Sequence, residues 1–206
     1  MSASQRDFAV LGGSFDPVHQ GHISIAETIS DYLGTTVRLV PVGVHAHKSR
    51  LVASPKQRLK MLELATLNQP SLVVDDRELV RESVSYTFET LCSFRDQLGE
   101  SENLYFVLGM DAYLDLPSWH EWQSLLNVAH IIVCRRASAK TLPPALQLFE
   151  QAYRVRSMDE LKAAPCGFVY YLENAAVEVS SSEVRARLWR DDSVTGMINP
   201  EVARFI

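Results

Sequence analysis

The sequence predicts an α/β fold: an open, doubly wound, mostly parallel sheet with helices on both faces and a helical segment at the C-terminal end. Three observations carry this. Short apolar, β-branched runs alternate with amphipathic stretches along the chain. The clearest run, Leu104-Tyr105-Phe106-Val107-Leu108, is apolar throughout and reads as a buried strand. The residues able to hold ligands follow apolar strands or open helices, where open α/β sheets bind their ligands.

In order, Phe8 to Leu11 is the first strand, ending near Gly12. The helix after His19 runs to about Leu33, with Gly34 as its C-cap. Val37 to Val40 is the second strand, closed by Pro41, and 44–54 is a loop. Ser54-Pro55 is an N-cap followed by proline at the first helical position. The helix from Lys56 to Leu67 then turns Leu59, Leu62, Leu64 and Ala65 inward. Leu72 to Val74 is a short strand. Ser85 to Leu98 is helical, with Phe88, Leu91, Cys92 and Phe94 on one face. Strands follow at Leu104 to Leu108 and His130 to Cys134, a helix near Ala145 to Tyr153, and a strand at Phe168 to Leu172. Helices from about Ser182 and near Glu201 close the chain.

Nothing in the pattern divides the chain, so residues 1–206 are expected to form one domain, with a C-terminal helical part at about 180–206. At 206 residues and 47% hydrophobic it has enough apolar surface for a real core. A net charge of −5 argues against a general nucleic-acid or membrane-surface binder. Cys92, Cys134 and Cys166 are far apart, with neither metal-ligand spacing nor an even disulfide set, which suits reduced cytoplasmic thiols. The polar N-terminus and the lack of a long apolar stretch give no sign of a signal peptide or spanning helix.

The chain is organised around Leu-Gly-Gly-Ser-Phe-Asp-Pro-Val-His-Gln-Gly-His, residues 11–22. A strand, a glycine turn and a helix start place an anion at unsatisfied N–H groups and the positive end of the helix dipole. Gly12 and Gly13 carry no Cβ, so a ligand can approach the backbone and a positive φ costs little. His19 and His22 are three apart, and in one helical turn their imidazoles share a face. The turn is neither the dinucleotide-binding fingerprint nor a P-loop. It resembles, closely, the Gly-Gly-Thr/Ser-Phe-Asp-Pro-x-His-x-Gly-His signature of the nucleotidyltransferase superfamily. The resemblance implies a Rossmann-like fold, with Gly12, Gly13, Ser14, Phe15, His19 and His22 around ATP.

Further motifs match the nicotinate mononucleotide adenylyltransferase branch of bacterial enzymes. His45-Ala46-His47-Lys48 resembles that branch's Pro-Pro-His-Lys loop, with His45 and Ala46 in place of the prolines. Lysine on such a loop is a point charge able to reach phosphate oxygens, and unaided the stretch reads as a solvated surface loop. Ser85-Tyr86-Thr87 reads by itself as an N-cap serine at a helix start. The resemblance makes Thr87 a ligand for the pyridine carboxylate. Asp111, after Gly109, either caps the next helix or meets a ligand, and the resemblance sets Gly109 and Asp111 beside the adenosine. In Leu116-Pro117-Ser118-Trp119-His120-Glu121-Trp122, it sets Trp119 on the pyridine ring and the His120 backbone at the carboxylate. Trp122 reads as core and the His120 imidazole as surface. Arg136, after the fifth strand, is implied near the mononucleotide phosphate. Val42 stands where many relatives have asparagine.

Val179-Ser180-Ser181-Ser182-Glu183-Val184-Arg185 is, on physics alone, a serine-capped helix with an acidic first turn. It closely matches the superfamily's Ile-Ser-Ser-Thr-x-Ile-Arg motif, in which Ser180, Ser182 and Arg185 hold nucleotide phosphates. Arg187 points elsewhere, toward solvent. The resemblance extends from about Phe8 to Ile206.

The implied reaction moves AMP from ATP to nicotinate mononucleotide, giving nicotinate adenine dinucleotide and pyrophosphate in NAD biosynthesis. The acceptor phosphate is already an anion, so no strong base is needed, and no serine or cysteine looks activated as a nucleophile. Catalysis then rests on positioning and charge stabilisation by His19, His22, Lys48 and Arg185. Mg²⁺ is expected to travel with ATP, held by water and phosphate oxygens. No protein metal site is expected; His19 and His22 have no third ligand nearby in sequence. The expected partners are the two small-molecule substrates, with no nucleic acid or membrane, and the oligomeric state is left open. The competing readings are nicotinamide mononucleotide or dual specificity, a phosphopantetheine adenylyltransferase, and a non-catalytic nucleotide sensor.

Overall fold

The computed structural model describes residues 7–44, 51–81, 83–135, 141–173, 177 and 179–206. Among them, six strands make one sheet: β1 (Phe8–Gly13), β2 (Thr36–Pro41), β3 (Leu72–Val74), β4 (Leu104–Gly109), β5 (His130–Cys134) and β6 (Val169–Leu172). Their spatial order is β3-β2-β1-β4-β5-β6, and the pairings β1–β4, β2–β3, β4–β5 and β5–β6 are parallel. This is the expected doubly wound sheet, with its order reversing at β1. The flanking helices are α1 (Gln20–Leu33), α2 (Pro55–Thr66), α3 (Thr87–Leu98), α4 (Met110–Asp115), α5 (Pro144–Tyr153), α6 (Met158–Leu161), α7 (Ser181–Leu188) and α8 (Pro200–Phe205). No helix of the described residues is long and apolar enough to cross a membrane.

The chain forms two compact units, Met1–Leu11 with Tyr86–Ala175, and Gly12–Ser85 with Ala176–Ile206. In the first, Phe8 to Leu11 pair in register with Leu104 to Val107, and β5 is buried along its whole length. Asp7 accepts both the backbone and side-chain N–H of Asn103 at 3.0 Å, tying the two strand starts together. His130 opens β5 fully buried. Its Nε2 meets the Ala164 carbonyl at 2.8 Å and its Nδ1 accepts the Phe168 N–H at 3.3 Å. Burial pushes its pKa down to about 4, more strongly than the bond to Ala164 raises it, so the ring is neutral. Burial likewise drives the Cys134 thiol up to about 12, which makes it an inert core group.

The second unit carries β2 and β3. Here α1 buries Ile23, Ile25, Ala26, Ile29 and Leu33, and ends on Gly34 at φ 68°, the left-handed conformation glycine adopts without penalty. Ser54 caps α2 as expected, its Oγ accepting the Gln57 N–H. The buried face of α2 differs from the expected one, being Arg58, Met61, Leu62 and Ala65, while Leu59 and Leu64 are only half buried. The helix is rotated because Arg58 is drawn inward to backbone carbonyls. α8 packs on α2, its N-terminus closed by Asn199 Oδ1 accepting the Glu201 N–H at 2.8 Å.

Ser85 is not the cap of α3. That helix starts at Thr87 after an extended Tyr86, and the Ser85 N–H is engaged with the Val44 carbonyl at 3.1 Å. A bridge between Val44 and Val84 holds this stretch extended, so the hydroxyl cannot turn onto the helix. It faces Gly43 instead. A Cβ on Gly43 would lie 2.1 Å from the Glu78 carbonyl oxygen and 2.8 Å from Ser85 Oγ, so only glycine fits there. The short helices α4 and α6 and the 3₁₀ turns Leu116–Ser118 and Trp122–Asn127 are too brief to show a period in sequence.

Candidate active site

Within the second unit, β1 ends at Gly13 and α1 starts at Gln20, so residues 14–19 form the turn. The positive φ in this turn belongs to Phe15, at 47°, and to neither Gly12 nor Gly13. Its ring is fully buried, and a Cβ on Gly13 would come within 3.1 Å of it. Gly13 thus lets the Phe15 ring pack close against the strand end, where a side chain would have to push the ring by a few tenths of an ångström, and Gly12 is exposed.

His19 is the N-cap of α1 and His22 lies in its first turn. Their rings stack with centroids 3.7 Å apart, and Phe15 meets His22 edge-on at 4.9 Å. The His19 backbone N–H donates to His22 Nδ1 at 3.3 Å. An accepting Nδ1 leaves the ring proton of neutral His22 on Nε2, as a donor at a helix N-terminus. Gly21 supports the pair: a Cβ there would lie 2.9 Å from the Val177 carbonyl oxygen and 3.1 Å from the His19 ring.

The second motif meets the first inside this same unit. Ser180 caps α7, accepting the Glu183 N–H. Ser181 Oγ donates to the Pro17 carbonyl at 3.0 Å. Arg185 donates from Nη1 to the Asp16 carbonyl and from Nη2 to Ser182 Oγ at 3.2 Å. Arg187 lies outside this group, bonded to Glu183 and to the Ser193 carbonyl, in keeping with its expected solvent role. Arg185 and the hydroxyls of Ser180 and Ser182 thus lie on an element anchored to the turn before α1, and guanidinium, hydroxyl and helix-start N–H donors are the groups that suit an anion.

Two residues here escaped the sequence reading. Asp16 is buried, its carboxylate accepting the N–H groups of Val52 at 2.8 Å and Ala53 at 2.9 Å. Arg58 is 1% exposed and donates to the Ser14 carbonyl at 3.0 Å and to the Val42 carbonyl at 2.7 Å. Burial lowers its pKa against the opposing pull of Asp16 and Glu78. The signal available in sequence was an arginine spaced with Met61, Leu62 and Ala65 on one helical face.

The first unit holds the other group. Gly109 ends β4 and is the N-cap of α4, so Asp111 sits exposed in the first turn and is not the cap. Thr87 is the first residue of α3 and half buried. Trp119 is half buried, its ring 6.3 Å from Phe106, and the exposed His120 lies 4.4 Å from the Tyr86 ring. Trp122, expected in the core, is only half buried and packs on Phe149 at 4.9 Å. Arg135 pairs with Glu173 at 3.1 Å and lies over Tyr171, whose other cation contact is Arg154 at 4.4 Å. Lys48 and Arg136 lie outside the described residues. Among the described residues, no group of three or more His, Cys, Asp or Glu is placed to hold a metal ion.

The cytidylyltransferase-like family matches residues 10–187, which span every element of both groups. A probable nicotinate-nucleotide adenylyltransferase of Yersinia enterocolitica is 38% identical over 202 residues, 97% of this chain and 92% of that protein. One from Marinomonas, of the same description, is 36% identical over 96% of this chain and 90% of its own. Among solved structures, Plasmodium falciparum nicotinic acid mononucleotide adenylyltransferase complexed with NaAD superposes with a TM-score of 0.73 at 22% identity, covering 98% of this chain and 94% of that one. That last likeness speaks to the fold.

Proposed function

The chain belongs to the nicotinate-nucleotide adenylyltransferase family, within the cytidylyltransferase-like group, and on that premise we propose how its residues divide the work. The enzyme transfers AMP from ATP to nicotinate mononucleotide, releasing pyrophosphate and forming nicotinate adenine dinucleotide for NAD biosynthesis. A phosphate oxygen of the mononucleotide attacks the α-phosphorus of ATP. The bond from that phosphorus to the bridging oxygen of pyrophosphate breaks. No proton has to move, because the nucleophile is already an anion.

The observation that carries the assignment of roles is the stacked His19–His22 pair, held at the start of α1 and joined through residues 16–17 to Arg185. His22 Nε2–H donates to the phosphoryl group as charge moves toward the leaving pyrophosphate, and His19 flanks the same phosphates. Gly12, Gly13, Ser14 and Phe15 form the floor beneath ATP. Ser180, Ser182, Arg185 and Lys48 hold the departing pyrophosphate. Gly109 and Asp111 flank the adenosine. Thr87 and the His120 N–H take the pyridine carboxylate, Trp119 stacks on the ring, and Arg136 pairs with the mononucleotide phosphate. Mg²⁺ would accompany ATP as part of the substrate and would supply charge neutralisation on its phosphates, with phosphate oxygens and water as its ligands. With its cysteines unpaired, the protein works in the reducing cytoplasm.

The test is pyrophosphate release with ATP and Mg²⁺, comparing nicotinate with nicotinamide mononucleotide. A strong preference for the acid is expected. Equal rates would replace the carboxylate pocket by a dual-specificity site, and release with neither would overturn the assignment.

A further inference from the structure

Asp16 has no part in the chemistry assigned above, yet two segments of the second unit, residues 52–53 and α7, converge on it and its neighbour Pro17. It is 4% exposed. Its carboxylate takes the Val52 and Ala53 backbone N–H groups at 2.8 and 2.9 Å, fixing the chain just before α2. Its main-chain carbonyl accepts from Arg185 Nη1, while that nitrogen stands 4.0 Å from the Asp16 Oδ2. The next residue, Pro17, accepts Ser181 Oγ at 3.0 Å, so α7 is anchored at the same point.

This geometry separates charge from contact. A carboxylate gripping a guanidinium fork to fork, in its plane, takes up two parallel N–H donors and neutralises the pair. Here each Asp16 oxygen accepts one main-chain N–H, Arg185 Nη1 stands 4.0 Å from Oδ2, and the guanidinium is instead held by two neutral acceptors, the Asp16 carbonyl and Ser182 Oγ. Those bonds use two of the five N–H groups of the fork. The rest of the fork keeps its charge for a second anion, and the nearby carboxylate orients it electrostatically.

We infer that Asp16 is a positioning residue for adenylyl transfer, acting through Arg185: it aims the guanidinium at the substrate phosphates without touching substrate itself. The inference rests on Arg185 being a phosphate ligand. D16N keeps the shape of the side chain, removes the charge near Arg185 and loses one of the two backbone acceptors.

The experiment is a double-mutant cycle on the full chain, D16N with R185A, reading pyrophosphate release at varied ATP and varied nicotinate mononucleotide, with folding followed by thermal unfolding. D16N is expected to lower kcat/KM for ATP about tenfold, a size typical of coupled neighbours, and to leave the KM for the mononucleotide unchanged. In the R185A background, D16N is expected to add no further loss. Equal losses in both backgrounds, or a loss shared by both substrates, would overturn the inference while leaving the role of Arg185 standing. An R185A enzyme with unaltered kinetics would instead remove the phosphate role of Arg185 itself. If D16N does not fold, D16E, which keeps the charge but shifts the oxygens by one methylene, carries the same cycle: a loss dependent on Arg185 supports the inference and an independent one overturns it.

Discussion

The His19 backbone N–H donates to Nδ1 of His22 at 3.3 Å while the two imidazoles stack 3.7 Å apart, so the cap of α1 also sets the tautomer of His22. The same hydrogen bond closes a helix end and turns a ring proton outward. A residue that supplied only one of these functions would separate them.

Replacement of His22 therefore has a graded outcome. H22A is expected to lower kcat by about 10²–10³, the usual cost of losing a transition-state donor. H22N can still accept from the His19 N–H, so it should hold the wild-type melting temperature and lose activity as H22A does. H22Q, with an amide near the former Nε2, should recover part of the rate. Pyrophosphate release and thermal unfolding on the three variants check this, and H22A turning over at the wild-type rate would remove His22 from the mechanism.

The pyridine group can be probed through selectivity. T87V is expected to lower kcat/KM for nicotinate mononucleotide by about tenfold or more, as for a lost hydrogen bond to a charged group, and to leave nicotinamide mononucleotide nearly unaffected. W119L should weaken both mononucleotides alike, by roughly tenfold, because stacking does not distinguish acid from amide. Steady-state kinetics with the two substrates separates a carboxylate contact from ring stacking.

Arg58 predicts a stability effect with a kinetic shadow. R58M fills similar space but leaves the Ser14 and Val42 carbonyls without their donor. The expected loss is about 2–4 kcal/mol from two part-buried acceptors left unpaired, read as a lower urea midpoint at unchanged slope. Because Ser14 belongs to the turn proposed to lie beneath ATP, KM for ATP should rise as well.

His130 makes the protein sensitive to acid. Its folded pKa of about 4 lies below the ordinary histidine value of 6.5, so between those values the unfolded chain binds more protons than the folded one. Its contribution is complete above pH 6.5 and is lost as pH falls toward 4. H130Q, which keeps a donor for the Ala164 carbonyl but cannot titrate, should fall less steeply in melting temperature across that window. Parallel curves for the two proteins would show that His130 is not responsible.

Much of this was legible in the sequence for a physical reason. Strands such as Leu104–Gly109 and His130–Cys134 are buried and therefore apolar throughout, and caps such as Ser54 and Gly34 announce themselves by residue type. Ser85 misled because its neighbours Val44 and Val84 pair, a contact invisible in local sequence. Arg58 misled because a helical period records which residues are apolar, and the buried position was filled by a charge serving distant carbonyls.

By itself, then, the sequence determined the alternation of strand and helix, the family, the reaction, and the spacing that puts His19 and His22 on one helical turn. The alternation, the caps and the spacing are local properties of the chain, whereas the family and the reaction come from the resemblance that its short motifs carry. Only the tertiary structure decided that Phe15 takes the positive φ beside Gly13, that Gly43 is required by the Glu78 carbonyl, and that Arg185 rests on the backbone of Asp16. The last two depend on atoms far apart in the chain meeting at hydrogen-bond or van der Waals distance, which no local pattern encodes; the first is local, and is decided by the burial of the Phe15 ring.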